Sequence, residues 1–137
     1  MSRSLVLDAE SFSALARGRG TRHEVVRAAM TSAWRLNREV IVPAVVLAEL
    51  YRGSGRSQLV DAALSREVGV VVRSTDRPLA RMVGGVLVAS GRGSEYLADA
   101  HVVAVAVESG GGLILTGDPT DMVALSEPYA NVMVEAL

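Results

Sequence analysis

The sequence predicts an α/β protein with a single domain over residues 1–137, built as a three-layer α/β/α sandwich around a mainly parallel sheet of about five strands. Two observations predict this class. Short apolar segments alternate with longer segments of helical spacing, and the short segments do not alternate polar with apolar residues. Strands of a parallel sheet have this pattern because helices cover both of their faces. The length suits one domain, and no repeat or internal linker interrupts the chain.

Each predicted strand is a short run rich in Val, Ile and Leu that stops at a polar residue, Pro or Gly. The first run ends in the acid Asp8, the second at Pro43 and the fourth at Thr116, directly before Gly117. The predicted strands are residues 4–8, 39–43, 68–73, 113–116 and 131–135.

The predicted helices fill the intervals between the strands. Thr21 and Glu24 have the spacing of a capping box, several segments end at glycine, and the last helix opens with Asp118 and Pro119, a typical cap and first residue. The stretch 53–56 (GSGR) is the predicted mobile surface loop. The helices cover residues 11–18, 21–37, 44–53, 56–69, 74–93, 95–112 and 119–126.

The composition excludes several classes of protein. With no cysteine, the chain has no disulfide framework and no thiolate metal site, which fits a reducing cytoplasm. No apolar run approaches the roughly 18–20 residues that span a bilayer, so no membrane association is expected. All 14 basic residues are arginines. The absence of lysine argues against a Walker-type phosphate loop and against receiver domains and haloacid-dehalogenase-type phosphatases, which normally use one.

The net charge of -1 hides an uneven distribution of charge along the chain. Residues 1–92 carry 14 basic and 8 acidic side chains, whereas residues 93–137 carry 7 acidic side chains and no basic one. In one reading the two segments interleave in the fold and the surface averages out. In the other, an acidic site is rimmed by arginines, which suits a metal and a phosphate-bearing ligand.

Two aspartates follow predicted strands at the edge where α/β proteins bind ligands. In an open parallel sheet that edge lies beyond the carboxyl ends of the strands. Asp8 ends the first strand and Asp118 follows the fourth, so they meet if these strands are neighbours. Each aspartate also has a structural interpretation as a helix N-cap, and Asp121 would then be a favourable acid in the first turn. Asp118 can cap its helix with one oxygen and direct the other at a metal.

Two further acids lie in strongly apolar segments. Glu49 is flanked by apolar residues, and Asp99 precedes the run HVVAVAV. A buried carboxylate is costly unless it is paired, so the alternatives are a salt bridge to arginine for Glu49 and a helix-start acid for Asp99. Two charges about 4 Å apart repel by about 4 kcal/mol at an effective dielectric near 20. Four converging carboxylates would therefore have to be protonated, neutralised by arginine or joined by a bound cation, and for a cation the hard oxygen ligands favour Mg²⁺ or Mn²⁺.

Two neighbours of Asp99 give weaker signals. His101 is two residues away, and residues at that spacing do not share a helix face, so we interpret it as structural or surface. Glu95 lies four residues before Asp99. It would share the face of Asp99 if the helix begins early enough, and it is then a candidate extra ligand or water-positioning group.

Four motifs together resemble those of PIN domains, specifically the VapC-type toxin ribonucleases. They are LVLDAES, VPAVVLAELYRG, LADAHVVAVAVESG and LILTGDPTDM, in an order and spacing that cover nearly the whole chain. The resemblance implies an α/β/α sandwich and a metal-dependent endoribonuclease site built from acids. By position in these motifs, the resemblance implies a catalytic and metal-binding quartet of Asp8, Glu49, Asp99 and Asp118. It also implies that Asp121 is an additional acid of the last motif and that Thr116 orients a carboxylate or phosphate.

The predicted activity is hydrolysis of RNA phosphodiester bonds with Mg²⁺ or Mn²⁺ as cofactor. By resemblance the products carry 5′-phosphate and 3′-hydroxyl ends. The first candidates to hold the RNA backbone follow Glu49 and are Arg52 and Arg56. A second cluster of arginines lies at and after the end of the first helix: Arg17, Arg19 and Arg22.

The expected partners are the RNA substrate and, by resemblance, a cognate antitoxin protein and a second copy of the chain in a homodimer. Phe12, Leu15 and Trp34 could supply an apolar groove for the antitoxin, although core packing is an equally good use of them. The alternatives are a PIN-type nuclease of RNA processing or DNA repair and a non-catalytic PIN-like interaction module, which would not bind a divalent cation.

Overall fold

The computed structural model describes residues 3–137 and has the predicted α/β/α architecture. Five parallel strands form one sheet in the order β3-β2-β1-β4-β5. The strands are β1 (Ser4–Leu7), β2 (Glu39–Pro43), β3 (Val70–Arg73), β4 (Gly112–Thr116) and β5 (Val132–Ala136). The helices are α1 (Ala9–Arg17), α2 (Thr21–Arg35), α3 (Ala44–Leu50), α4 (Ser54–Arg66), α5 (Arg77–Ser90), α6 (Leu97–Glu108) and α7 (Pro119–Ser126), with a 3₁₀ turn over Ser94–Tyr96.

The helices form two layers on opposite faces of the sheet. Right-handed crossovers place α1 to α4, which connect β1, β2 and β3, on one face, and α5 to α7 on the other. Observed contacts agree, because α1, α2 and α3 pack on β1 or β2, whereas α6 contacts four strands and α7 packs on β4 and β5. The predicted fold class is confirmed.

The core lies around β1, β4 and α6. The whole of β1 is buried, and α6 is buried from Ala100 to Ala106, which explains why its sequence is apolar on every side. Full burial of one valine or leucine contributes about 1.5–3 kcal/mol relative to exposure. Because α6 is fixed so firmly, its first turn, which carries Asp99, has a defined position at one edge of the sheet. Among the helices of residues 3–137, none has the length and apolar character needed to cross a bilayer.

Several local predictions were wrong. The stretch 53–56 is not a loop, because Gly53 is the N-cap of α4 and the helix begins at Ser54. Thr21 is not a capping residue, because it is already the first helical residue and Gly20, at φ 101°, takes the cap position without a side-chain hydrogen bond. For Phe12 and Leu15, where a groove and core packing were equally open, the structure shows core packing, because both are fully buried, while Trp34 is 38% exposed.

Candidate active site

Asp8 and Asp118 follow two neighbouring strands, β1 and β4. Leu7 pairs with Leu115 in the register of these strands, so the residues that follow them meet at the same edge of the sheet. From here β1 continues to β2 on one side and β4 continues to β5 on the other. This reversal is the topological switch point where α/β sheets bind ligands.

Asp8 is the most firmly held of the acids. It is the N-cap of α1, and its Oδ1 accepts hydrogen bonds from the backbone N–H of Ser11 at 2.9 Å and from the Ser11 hydroxyl at 3.0 Å. The Thr116 hydroxyl donates to Oδ2 at 2.6 Å. The residue is only 5% exposed. The structural and the functional interpretation therefore hold together, because Asp8 caps its helix and still has acceptor capacity at the switch point.

Thr116 links the two aspartates. Its side chain is buried, and its Oγ1 accepts a hydrogen bond from the backbone N–H of Asp118 at 2.9 Å while donating to Asp8. Asp118 is exposed and is the N-cap of α7, where Oδ1 accepts from the backbone N–H of Asp121 at 3.5 Å. The hydrogen bond from the Asp118 N–H to the Thr116 hydroxyl, and the one from that hydroxyl to the Asp8 carboxylate, fix the end of β4 relative to the end of β1.

Asp99 is the electrostatic centre of the acids. It lies half-buried in the first turn of α6. Burial is the largest cause that raises its pKa, followed by the charges of Asp8, Glu49, Asp118 and Asp121, and together they raise it to about 6. Four carboxylates, from the starts of α1 and α7 and from α3, thus act on Asp99. The fold places all five acids that the sequence motifs singled out within electrostatic range of this residue.

Glu49 differs from the sequence prediction. We expected a buried segment, but Glu49 is exposed on α3, whose buried residues are Val46 and Leu47. Helix α3 packs against α6, and this contact brings Glu49 within electrostatic range of Asp99. No salt bridge joins Glu49 to an arginine within the part of the chain that the structure describes; Arg52 instead donates to the Glu49 backbone carbonyl at 2.9 Å.

Glu95 does not share a helix face with Asp99. Helix α6 begins at Leu97, so Glu95 precedes it in the exposed 3₁₀ turn, with its carboxylate over Gly93. His101 is buried, and its Nδ1 lies 2.8 Å from the Leu97 carbonyl oxygen, which makes it a structural residue of α6.

Arg92 is a site residue that the sequence reasoning missed. Gly91 ends α5 in the left-handed conformation, and the next residue, Arg92, lies over the Tyr96 ring at 4.7 Å and reaches Asp121 Oδ1 at 3.4 Å. The hydrogen bond with Asp118 raises the pKa of Asp121, as do burial and the Asp118 charge, while Arg92 opposes the rise. The only sequence signal was an arginine directly after a helix-ending glycine, with an aromatic residue four positions later.

A second group of charges lies beside the acids. A cleft of about 520 Å³ is lined by Arg17, Arg22, Arg56, Glu10 and Gly117, among others, and Glu10 and Arg22 form an ion pair at 3.3 Å. Arg17, Arg22 and Arg56 were all predicted to hold substrate, whereas Glu10 was not singled out. Arg19 lines a neighbouring cleft with Arg17.

The donor chemistry of the acids fits a hard divalent cation, since all the ligands on offer are carboxylate oxygens. Across residues 3–137, however, no three acidic or histidine side chains lie close enough together to hold one ion jointly. The two facts agree if the ion keeps part of its water shell, because Mg²⁺ is usually bound through one or two carboxylates and several waters. The charges act on Asp99 over distances longer than direct coordination.

Together, the fold and the site define a doubly wound α/β/α protein with a carboxylate cluster at the switch point of its sheet. A family model of the PIN domain matches residues 5–123. The chain therefore belongs to the PIN domain family. No curated protein sequence matches it.

Solved structures with a similar fold come from several bacteria. VapBC2 of Rickettsia felis, bound to a DNA fragment from the promoter, has a TM-score of 0.65 and 14% identity, covering 97% of this chain and 98% of that one. DNA-bound VapBC of Salmonella typhimurium has a TM-score of 0.65 and 14% identity, covering 99% and 98%. VapC20 of Mycobacterium tuberculosis, a toxin that cleaves the sarcin–ricin loop, has a TM-score of 0.59 and 22% identity, covering 92% and 95%. At these identities the likeness establishes the fold.

Proposed function

We propose that this chain is a metal-dependent endoribonuclease toxin of a toxin–antitoxin pair, which hydrolyses RNA phosphodiester bonds at the carboxylate cluster. The observation that carries the proposal is the environment of Asp99, a half-buried acid whose pKa is raised by burial and by four other carboxylates at the switch point. Membership of the PIN domain family and the likeness to VapC20 support the same activity.

The acids have different parts in the proposed reaction. Asp8, Glu49, Asp99 and Asp118 are the catalytic and metal-binding quartet. Thr116 is a positioning residue, because its hydroxyl fixes one oxygen of Asp8 and leaves the carboxylate oriented before substrate arrives. An Mg²⁺ or Mn²⁺ ion held by these acids would supply a water of lowered pKa and stabilise charge on the leaving oxygen.

Two further acids have supporting parts. Asp121 contributes a carboxylate for a second ion or for orienting the attacking water, subject to its contact with Arg92. Glu95, exposed in the turn before α6, is a candidate for positioning water or substrate.

The arginines provide the binding energy for the RNA backbone. Arg17 and Arg56 line the cleft beside the acids, Arg19 extends this surface, and Arg52 lies next to Glu49. Guanidinium groups bind phosphate through paired hydrogen bonds and hold the strand in place without reading its bases. Only 4% of the residues are aromatic, so recognition rests on backbone and shape more than on stacked bases.

The proposed partners are a cognate antitoxin protein and a second copy of the chain. The likeness to VapBC structures from two bacteria, each bound to DNA, supports the antitoxin. An RNA substrate together with a cysteine-free sequence supports action in the cytoplasm. The mass of the free protein in solution, measured by light scattering, tests the homodimer.

Cleavage of total bacterial RNA tests the activity. Antitoxin-free protein is incubated with the RNA and Mg²⁺ or Mn²⁺, and new 5′ ends are mapped by sequencing. We expect discrete cleavages that disappear with a chelator and in Asp8→Asn. Asparagine is as good an N-cap as aspartate, so this variant keeps α1 and loses the charge.

Asp76→Asn is the matched control. Asp76 also caps a helix, α5, and accepts from the Leu79 backbone N–H at 3.0 Å, but it pairs with Arg73 and not with the acid cluster. This variant should cleave like the wild type. Cleavage that survives Asp8→Asn would remove the acid cluster from the mechanism, and the absence of any cleavage or divalent binding would favour a non-catalytic interaction module.

A further inference from the structure

The arginine cleft is formed by four helices and the loop that follows β4. Arg17 lies at the end of α1, Arg22 in the first turn of α2 and Arg56 in the first turn of α4, and Leu50 of α3 completes one wall. Gly117 opens the cleft towards the acids, because it lies between Thr116 and Asp118. A ligand in the cleft therefore lies next to the candidate active site.

Glu10 occupies the junction between the cleft and the acids. Its carboxylate lies over Gly117, where a Cβ on residue 117 would overlap it. The same carboxylate accepts a hydrogen bond from Arg22 Nη1 at 3.3 Å. A glycine at position 117 is what leaves room for this arrangement, and the cleft of the free protein thus holds an anion of its own.

The contact between Glu10 and Arg22 is weak enough for a ligand anion to replace Glu10. Their side chains are 53% and 59% exposed, and a single long contact between exposed side chains is weak. A phosphate offers several acceptor oxygens and can take paired hydrogen bonds from a guanidinium. Arg17 and Arg56 add positive charge in the same cleft. An RNA phosphate is therefore a better partner for Arg22 than Glu10 is.

We propose that the cleft of Arg17, Arg22 and Arg56 is a subsite for a backbone phosphate of single-stranded RNA next to the scissile bond, and that Glu10 fills it in the free protein as a competing anion. RNA enters by displacing Glu10 from Arg22. This inference rests on the proposed function for its choice of ligand. It assigns Glu10 a role in setting RNA affinity, separate from the acids that act on the phosphodiester.

Binding without cleavage tests the subsite. The probe is a fluorescent single-stranded oligoribonucleotide of mixed sequence, and its anisotropy is measured in a chelator at several salt concentrations. Glu10→Gln should bind about three- to tenfold more tightly, the scale of one charge contact at an exposed position. Arg22→Gln should bind more weakly. The negative slope of log K against log salt should become shallower by about 0.7 for one lost phosphate contact.

A double variant separates displacement from a general change of net charge. If Glu10 competes for Arg22, the gain from Glu10→Gln should shrink in the Arg22→Gln background. Glu39→Gln is the charge control, because Glu39 is an exposed acid at the amino end of β2, on the opposite edge of the sheet. Glu10 and Arg22 are exposed, and circular dichroism of each variant verifies the fold.

The possible outcomes distinguish this inference from the proposed function. Cleavage by the wild type, with Glu10→Gln binding no more tightly than Glu39→Gln, overturns the subsite and leaves the nuclease intact. Tighter binding by Glu10→Gln without any cleavage supports the subsite and counts against the nuclease. Failure of the wild type and of every variant to bind the oligoribonucleotide overturns the subsite.

Discussion

Replacing Asp99 by asparagine should stabilise the metal-free protein at neutral and higher pH. Burial and four neighbouring carboxylates raise the pKa of Asp99 from 3.8 to about 6. Because the pKa is higher in the folded state, ionising Asp99 costs more there than in the unfolded chain. The folded state is therefore penalised progressively as pH rises from about 4 to about 6, and the penalty stays constant above that range.

The size of the effect follows from the shift in pKa. About two pKa units correspond to about 3 kcal/mol, and solvent screening of a half-buried group reduces this to about 1–2 kcal/mol. Asp99→Asn should thus raise the free energy of unfolding by that amount at about pH 8 and change it little at about pH 4. For a chain of this length, the melting temperature should rise by roughly 3–8 °C.

Thermal and urea unfolding at both pH values measure the effect, with and without Mg²⁺. A cation bound by the carboxylates stabilises the wild type by about 2.7 kcal/mol at a hundred times its Kd, so Mg²⁺ should remove the advantage of the variant. Asp76→Asn is a control that should change the free energy of unfolding in the opposite direction and destabilise the protein at about pH 8. The reason is that the Arg73 hydrogen bond lowers the pKa of Asp76, so its ionised form stabilises the folded state. A variant that is no more stable than the wild type at high pH would refute the view that the acids repel one another.

Three other changes test separate parts of the structure. Thr116→Val should lower the free energy of unfolding by about 1–3 kcal/mol, because it leaves Asp8 and the Asp118 N–H without their buried partner, whereas Thr116→Ser should be close to the wild type. Arg92→Gln should raise the pKa of Asp121 further, measured by carboxyl NMR titration, since Arg92 opposes the rise caused by Asp118; an unchanged titration would mean that the ion pair does not form in solution. Phe12→Ala should cost about 3–5 kcal/mol in urea unfolding, as expected for a fully buried ring, and a loss below 1 kcal/mol would place Phe12 at the surface.

The sequence was sufficient for the sheet and for placing Asp8 and Asp118 at its carboxyl edge. Apolar runs such as residues 113–116 are long enough for a buried strand and too short for a helix, so their type and order could be predicted. A parallel sheet places the carboxyl ends of its strands at one edge, and the adjacency of β1 and β4 then brings the two aspartates together. Only the strand order had to be supplied by the structure.

Contacts between distant side chains could not be predicted in this way. Arg92 meets Asp121 across 29 positions, and Glu10 meets Arg22 through the packing of α1 on α2. The prediction that Glu49 lies in a buried segment was also wrong, because α3 is too short for its apolar spacing to define a buried face. The capping error at Thr21 arose because Gly20 adopts a positive φ, which a pattern of Thr and Glu does not reveal.

The fold pairs some, but not all, of the acids in the acidic last third of the sequence with arginines from the first part. Two acids of residues 93–137 take arginines from the first part of the chain: Glu108 pairs with Arg73 at 2.7 Å and Asp121 with Arg92 at 3.4 Å. Asp99 and Asp118 receive no such partner within residues 3–137, although Arg92 is close enough to pair with their neighbour Asp121. An acid kept for stability alone would be better paired, since an uncompensated and partly buried charge is costly. Within the cluster, Asp121 is paired with Arg92 while Asp99 and Asp118 are left without an arginine, which is the distribution expected if a cation completes the site.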